Sequence, residues 1–160
     1  MRKIVMVVVV LVLATLVMAL QSSNNTTGDK EAIEKAVLEA NTRMTQAGNS
    51  LDVEKFFAFI LDSDKGPVIQ DGQLFKNRTE ALEVVRAGFQ GIAKIDRRYN
   101  QTYVTVLSPE AALLTAVGSY TATLSDSQTL MSSPFAVSLV FVLKDGQWKV
   151  LHGHYSTPNP

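Results

Sequence analysis

Two periodicities divide the chain. Between Asp29 and Ala47 the apolar residues Ile33, Val37, Ala40, Met44 and Ala47 recur at helical spacing, which predicts an amphipathic helix capped by Asp29 and ended by Gly48. Ser50 is placed to cap a shorter second helix carrying Val53, Phe56, Phe57 and Ile60. Asp71-Gly72 between two short apolar runs predicts a tight hairpin. Asn77 with Glu80 three residues on has the form of a capping box. It opens a third helix whose apolar stripe is Leu82, Val85, Phe89 and Ile92.

From Lys94 onward the period drops to two. Strands are expected over Ile95–Leu107, Ala111–Leu124, Phe135–Lys144 and Gln147–Ser156, parted by Ser108-Pro109, Ser125-Asp126-Ser127 and Asp145-Gly146. Connections this short make neighbouring strands antiparallel. Helices first and strands last predict an α+β domain in which three helices pack on a curved antiparallel sheet. Helices laid across a coiled sheet enclose a cone, a natural small-molecule pocket.

The N-terminus follows neither period. Arg2-Lys3 precedes an uncharged apolar run from Ile4 to Leu20, with Val17-Met18-Ala19 fitting the small-x-small cleavage rule. Residues 1–19 are therefore expected to be a signal peptide, residues 20–28 a polar flexible linker, and residues 29–160 the domain. The 17-residue run also meets the lower limit for a membrane span, so a retained anchor is the alternative. Either outcome exports the domain to the periplasm or exterior, and contact with a membrane is expected only if the segment is not cleaved.

Composition adds mostly exclusions. The chain has 160 residues, 46% of them hydrophobic and 19% charged, enough for one domain with a core of its own. Its formal net charge is zero, without the basic excess that nucleic acid requires. It has no cysteine, so core packing rather than disulfides must hold it together. No phosphate loop, nucleophile signature, metal-ligand spacing or cofactor motif is present.

The residue types able to do chemistry are few. The last strand holds the only tryptophan and both histidines, and strict alternation would put Trp148, Val150, His152, His154 and Ser156 on one face. The histidines then read either as hydrogen-bonded sheet residues or as polar groups of a pocket. Asp62 and Asp64, between the second helix and the first strand, read as solvated turn residues or as cavity carboxylates of raised pKa. Tyr99, Tyr103 and Tyr120 read as ordinary core or as phenols in a ligand wall. Arg97-Arg98, with Lys94 and Asp96, reads as a solvated rim or as a grip for an anion.

The element order, the segment Asp71-Gly72-Gln73 through Asn77-Arg78-Thr79-Glu80-Ala81-Leu82, and the ending Asp145-Gly146-Gln147-Trp148-Lys149-Val150-Leu151-His152-Gly153-His154-Tyr155-Ser156 resemble the NTF2-like superfamily, including its SnoaL-like and ketosteroid-isomerase-like domains. The resemblance spans Asp29 to Thr157 and implies the conical fold and a homodimer paired through the exposed sheet face. It does not carry over the isomerase chemistry, because the tyrosine and protonated acid of that oxyanion pair have no counterparts here.

Two functions are compatible with these residues. One is an exported domain that binds a small apolar molecule in its cone or serves as a dimeric assembly module, with no cofactor or metal. The other is a lyase or isomerase in which Asp64 moves a proton while Tyr120 and His152 or His154 hold the developing oxyanion. The pocket candidates common to both are Asp64, Tyr120, His152 and His154.

Overall fold

The computed structural model describes residues 28–126 and 128–158. The expected signal peptide and nearly all of the expected linker lie outside them. Among the described residues no helix is long and apolar enough to cross a membrane.

The first helix, α1, covers residues 28–49. Asp29 therefore lies inside it rather than capping it. Val37, Ala40, Met44 and Ala47 form its buried stripe, with Ile33 packed beside them. The second helix, α2 (Val53–Phe57), is capped by Asp52 and not by Ser50: the Lys55 amide donates to Asp52 Oδ1 at 3.0 Å. Ser50 instead donates back to the Gln46 and Ala47 carbonyls as α1 ends. Leu51 (φ 60°) then turns the chain so that Phe56 and Phe57 enter the core edge to face.

Strands β1 (Val68–Gln70) and β2 (Gln73–Phe75) form the hairpin around Asp71-Gly72, both at positive φ as a two-residue turn requires. Asn77 Oδ1 accepts from the Glu80 amide at the start of α3 (Arg78–Phe89), while Glu80 Oε2 accepts from the Lys76 amide, one residue before the cap. Arg78 donates to the Phe57 and Ile60 carbonyls, satisfying the exposed end of α2 and fixing α3 against it.

Four long strands complete the chain: β3 (Ile92–Ser108), β4 (Ala111–Leu124), β5 (Thr129–Lys144) and β6 (Gln147–Ser156). The sheet order is β2-β1-β6-β5-β4-β3. The meander is antiparallel as expected, but β1 pairs with β6 in parallel, so the sheet is mixed rather than wholly antiparallel. The reason is local. The chain entering β1 hydrogen-bonds along the open edge of β6, from Leu61 to the Val150 carbonyl and from the Gly153 amide to Pro67, and runs in the same direction.

The inner face carries Ala112, Leu114 and Ala116 of β4, Phe135, Val137, Leu139 and Phe141 of β5, and Val150 and Tyr155 of β6, all buried beneath the helices. This is an α+β fold of three helices on a mixed, curved sheet.

Candidate functional site

The helices do not cover the sheet completely. Toward the open ends of α2 and α3 they leave a cavity of about 430 Å³. Phe56, Phe57 and Ile60 form one wall, Val85 and Phe89 of α3 another, and Ile95, Tyr120 and Phe135 the floor. Asp71 and Thr157 lie at its rim, where Thr157 donates from both its amide and its hydroxyl to Asp71 Oδ1.

Among the described residues one cation lines this apolar cavity. Arg97 is in register with Tyr120, on the inner face, and its guanidinium lies over the rings of Phe135 (5.0 Å), Tyr120 (5.6 Å) and Tyr155 (6.0 Å). Such contacts contribute ~0.5–2 kcal/mol each, more when desolvated. Its neighbours go the other way: Asp96 and Arg98 form a two-pronged ion pair with each other on the outer face. The arginine backbone is fixed by Asn49 at the end of α1, which both accepts from the Arg97 amide and donates to its carbonyl.

Arg97 Nε, Tyr99 Oη and Tyr155 Oη are buried without a hydrogen-bond partner among the described residues. No carboxylate there lies within 4.0 Å of the Arg97 nitrogens. Burial pushes the Tyr155 phenol far above its ordinary value, with a weaker opposing pull from Arg97, and raises Tyr99 and Tyr120 in the same direction. All three are therefore protonated phenols at neutral pH, able to donate.

The residues singled out from the sequence separate here. Tyr120 lines the cavity. Asp64 and Asp62 are exposed on the loop before β1 and line no part of it. The shared face expected for the two histidines with Trp148 and Val150 is broken by a bulge. Phe141 pairs with Val150 and Val140 with His152, so Leu151 is an extra residue and the strand reverses its facing there. Val150 and Trp148 stay with the core, and His152 and His154 go to the outer side. His152 Nδ1 lies 3.1 Å from the Gly66 carbonyl, and His154 joins Ser138, Thr115 and Tyr103 in a row across four strands of the outer face.

A second hollow, of about 410 Å³, follows that row. It is bounded by one layer only and offers hydroxyls, an amide and one imidazole, whereas the conical cavity is walled by sheet and helices and holds a charge. The latter is the better candidate. Among the described residues no group of three or more histidines, aspartates or glutamates is placed to hold a metal.

Arg97 is the residue that sequence reasoning assigned to a solvated rim or an anion grip without placing it. Its signal was the alternation Ile95, Arg97, Tyr99, which puts an arginine on the inner face between two core positions.

Comparison with known proteins agrees with this architecture. No curated protein matches the sequence. Solved structures that resemble it include a Streptomyces avermitilis protein of the NTF2-like family named a dehydratase by inference (18% identity, TM-score 0.71, covering 82% of this chain and 99% of that one). A Novosphingobium aromaticivorans protein, named a scytalone dehydratase by inference, aligns with 11% identity and a TM-score of 0.72, covering 83% of this chain and 89% of its own. An NTF2-like superfamily protein of Salmonella enterica aligns with 18% identity and a TM-score of 0.69, covering 84% and 94%. At these identities the likeness is one of fold. The profile of the SnoaL-like domain matches residues 37–160, and the chain belongs to that family, within the NTF2-like superfamily.

Proposed function

We propose that this protein binds a small, largely apolar molecule in the cavity between α2, α3 and the inner sheet face, and that it does so outside the cytoplasm as an exported domain. The observation that carries this reading is the cavity itself: about 430 Å³, walled by phenylalanines, aliphatics and tyrosines, with polar groups confined to a few positions. Its test is fluorescence titration with N-phenylnaphthylamine, a neutral apolar dye that brightens when it leaves water. Saturable binding at one dye per chain, lost when Val85→Trp fills the cavity, is the expected result. Absence of saturable binding by the wild-type protein overturns the reading.

A second reading, assembly as a homodimer, is favoured by the outer sheet face. Tyr103 and Leu107 of β3 are 66% and 58% exposed, and Val117 of β4 and Leu151 of β6 are exposed as well. A lyase reaction, as in the names of the dehydratase-like neighbours, is the weaker alternative. Among the described residues the cavity presents no histidine, and the one carboxylate there, Asp71, is a rim residue already accepting two hydrogen bonds from Thr157.

A further inference from the structure

We propose that Arg97 makes the cavity selective for an apolar molecule bearing a single carboxylate, which docks on the guanidinium while its body packs against the surrounding rings. This rests on the reading of the cavity as a small-molecule site and names the class of molecule it takes.

Three observations carry it. The first is the contrast along one strand. Arg98 is neutralised by Asp96 on the outer face, but Arg97 has no carboxylate partner among the described residues. An arginine drawn into an apolar wall loses hydration, and aromatic faces replace only part of it, because they offer no lone pairs to its N–H donors. Arg97 Nε shows the deficit directly: it is buried without a well-formed hydrogen bond, although the Tyr99 phenol lies beside the guanidinium.

The second is placement. Arg97 lines the cavity rather than lying beneath it, and the reciprocal bonds from Asn49 hold its backbone, so the planar fork is offered from a fixed base. A guanidinium matches a carboxylate through two parallel hydrogen bonds, a geometry that a neutral amide cannot reproduce.

The third is the count of charges. Among the described residues Arg97 is the only cation lining the cavity; the other donors there are the phenols, Gln70 and Thr157, and the one carboxylate, Asp71, lies at the rim, held by Thr157. One positive charge suits a monoanion. A phosphate dianion would bring a second negative charge into an apolar cavity with nothing to balance it. Tyr120, Phe135 and Tyr155, already arranged around the guanidinium, provide flat apolar surface for the rest of the molecule.

The experiment is displacement of bound N-phenylnaphthylamine by naphthoate and, separately, by naphthamide, which has nearly the same shape without the charge. Naphthoate is expected to displace the dye at about tenfold lower concentration than naphthamide, as for a charge-assisted pair. In Arg97→Met that preference should vanish, the acid and the amide being compared with each other against the dye affinity measured for that variant. In Arg98→Met, which also removes one positive charge from the strand, it should persist. Equal displacement by the acid and the amide in the wild-type protein overturns the proposal, whether or not Arg97→Met folds, as does a preference that survives Arg97→Met. Failure of the dye to bind at all is a different result and removes the cavity reading itself.

Discussion

Asn49 and Arg97 grip each other's polar groups across 48 residues of sequence: the Arg97 amide donates to Asn49 Oδ1 at 3.0 Å, and Asn49 Nδ2 donates to the Arg97 carbonyl at 3.1 Å. This pair imitates one rung of a β-ladder with a side chain, and it ties the end of α1 to the strand that carries the cavity's charge. Asn49→Ala leaves a part-buried amide and carbonyl unsatisfied. It should lower stability by roughly 2 kcal/mol in denaturant unfolding, and should weaken dye binding because the floor of the cavity is no longer held.

At Gly118 the facing backbone of β3 leaves no room for a side chain. A Cβ there would lie 1.9 Å from the Arg98 carbonyl oxygen and 2.9 Å from the Tyr99 Cα. Backbone cannot give way as a side chain end can, so Gly118→Ala should cost roughly 3 kcal/mol or abolish folding. Gly88→Ala is the opposite case: nothing lies within 4 Å, and the residue is inside α3. It should stabilise the protein by ~0.5–1 kcal/mol in the same assay.

Gly153 makes room for Tyr155. A Cβ at Gly153 would stand 2.9 Å from the Tyr155 ring and 3.1 Å from a Leu139 methyl. Gly153→Ala should displace the Tyr155 ring, stacked on Phe135, and reduce dye affinity more than His154→Ala. The histidine is exposed on the outer face, and its removal should leave dye binding unchanged.

The phenols give a pH dependence with a definite sign. Burial raises the folded-state pKa of Tyr155, Tyr99 and Tyr120, so each binds its proton more tightly folded than unfolded. Below the ordinary phenol value of about 10 both states are protonated and stability is unaffected. Above it the unfolded chain loses protons first, and stability falls as the pH rises toward the folded values. Denaturant midpoints should drop over that alkaline range. Phenolate absorbance from Tyr99, Tyr120 and Tyr155 should appear together with unfolding rather than ahead of it.

The outer face has its own test. Tyr103→Asp puts a charge among exposed apolar side chains, and light-scattering mass should fall from two chains to one if they pair there. Dye binding should not change, because Tyr103 lies on the far side of the sheet from the cavity.

The helices, the hairpin turn and the long strands were legible in the sequence because period and turn chemistry are local properties. Two features were not. The bulge at Leu151 reverses the facing of β6 for every residue beyond it, and alternation carries no sign of an extra residue whose cause is the pairing of two strands. The parallel pairing of β1 with β6 joins residues 85 positions apart, as Val68 with Gly153, and nothing in Val68-Ile69-Gln70 specifies its direction. Arg97 differs from both. The alternation of Ile95, Arg97 and Tyr99 places it inward, but grouping it with Arg98 as one basic patch hides that.

The bulges in β3 bear on solubility. β3 is seventeen residues long and closes one side of the sheet order, so much of its outer backbone is unpaired. An extended strand in that position is a template for adding another chain, with fibrous aggregation as the end point. Irregularities at Ala93, Asn100 and Leu107 cut it into short runs, and the charged Lys94, Asp96 and Arg98 occupy one of these. A run this broken offers an incoming strand only a few matched hydrogen bonds before the register fails. The same kinks that bend the sheet thereby protect a cysteine-free protein from polymerising along its longest strand.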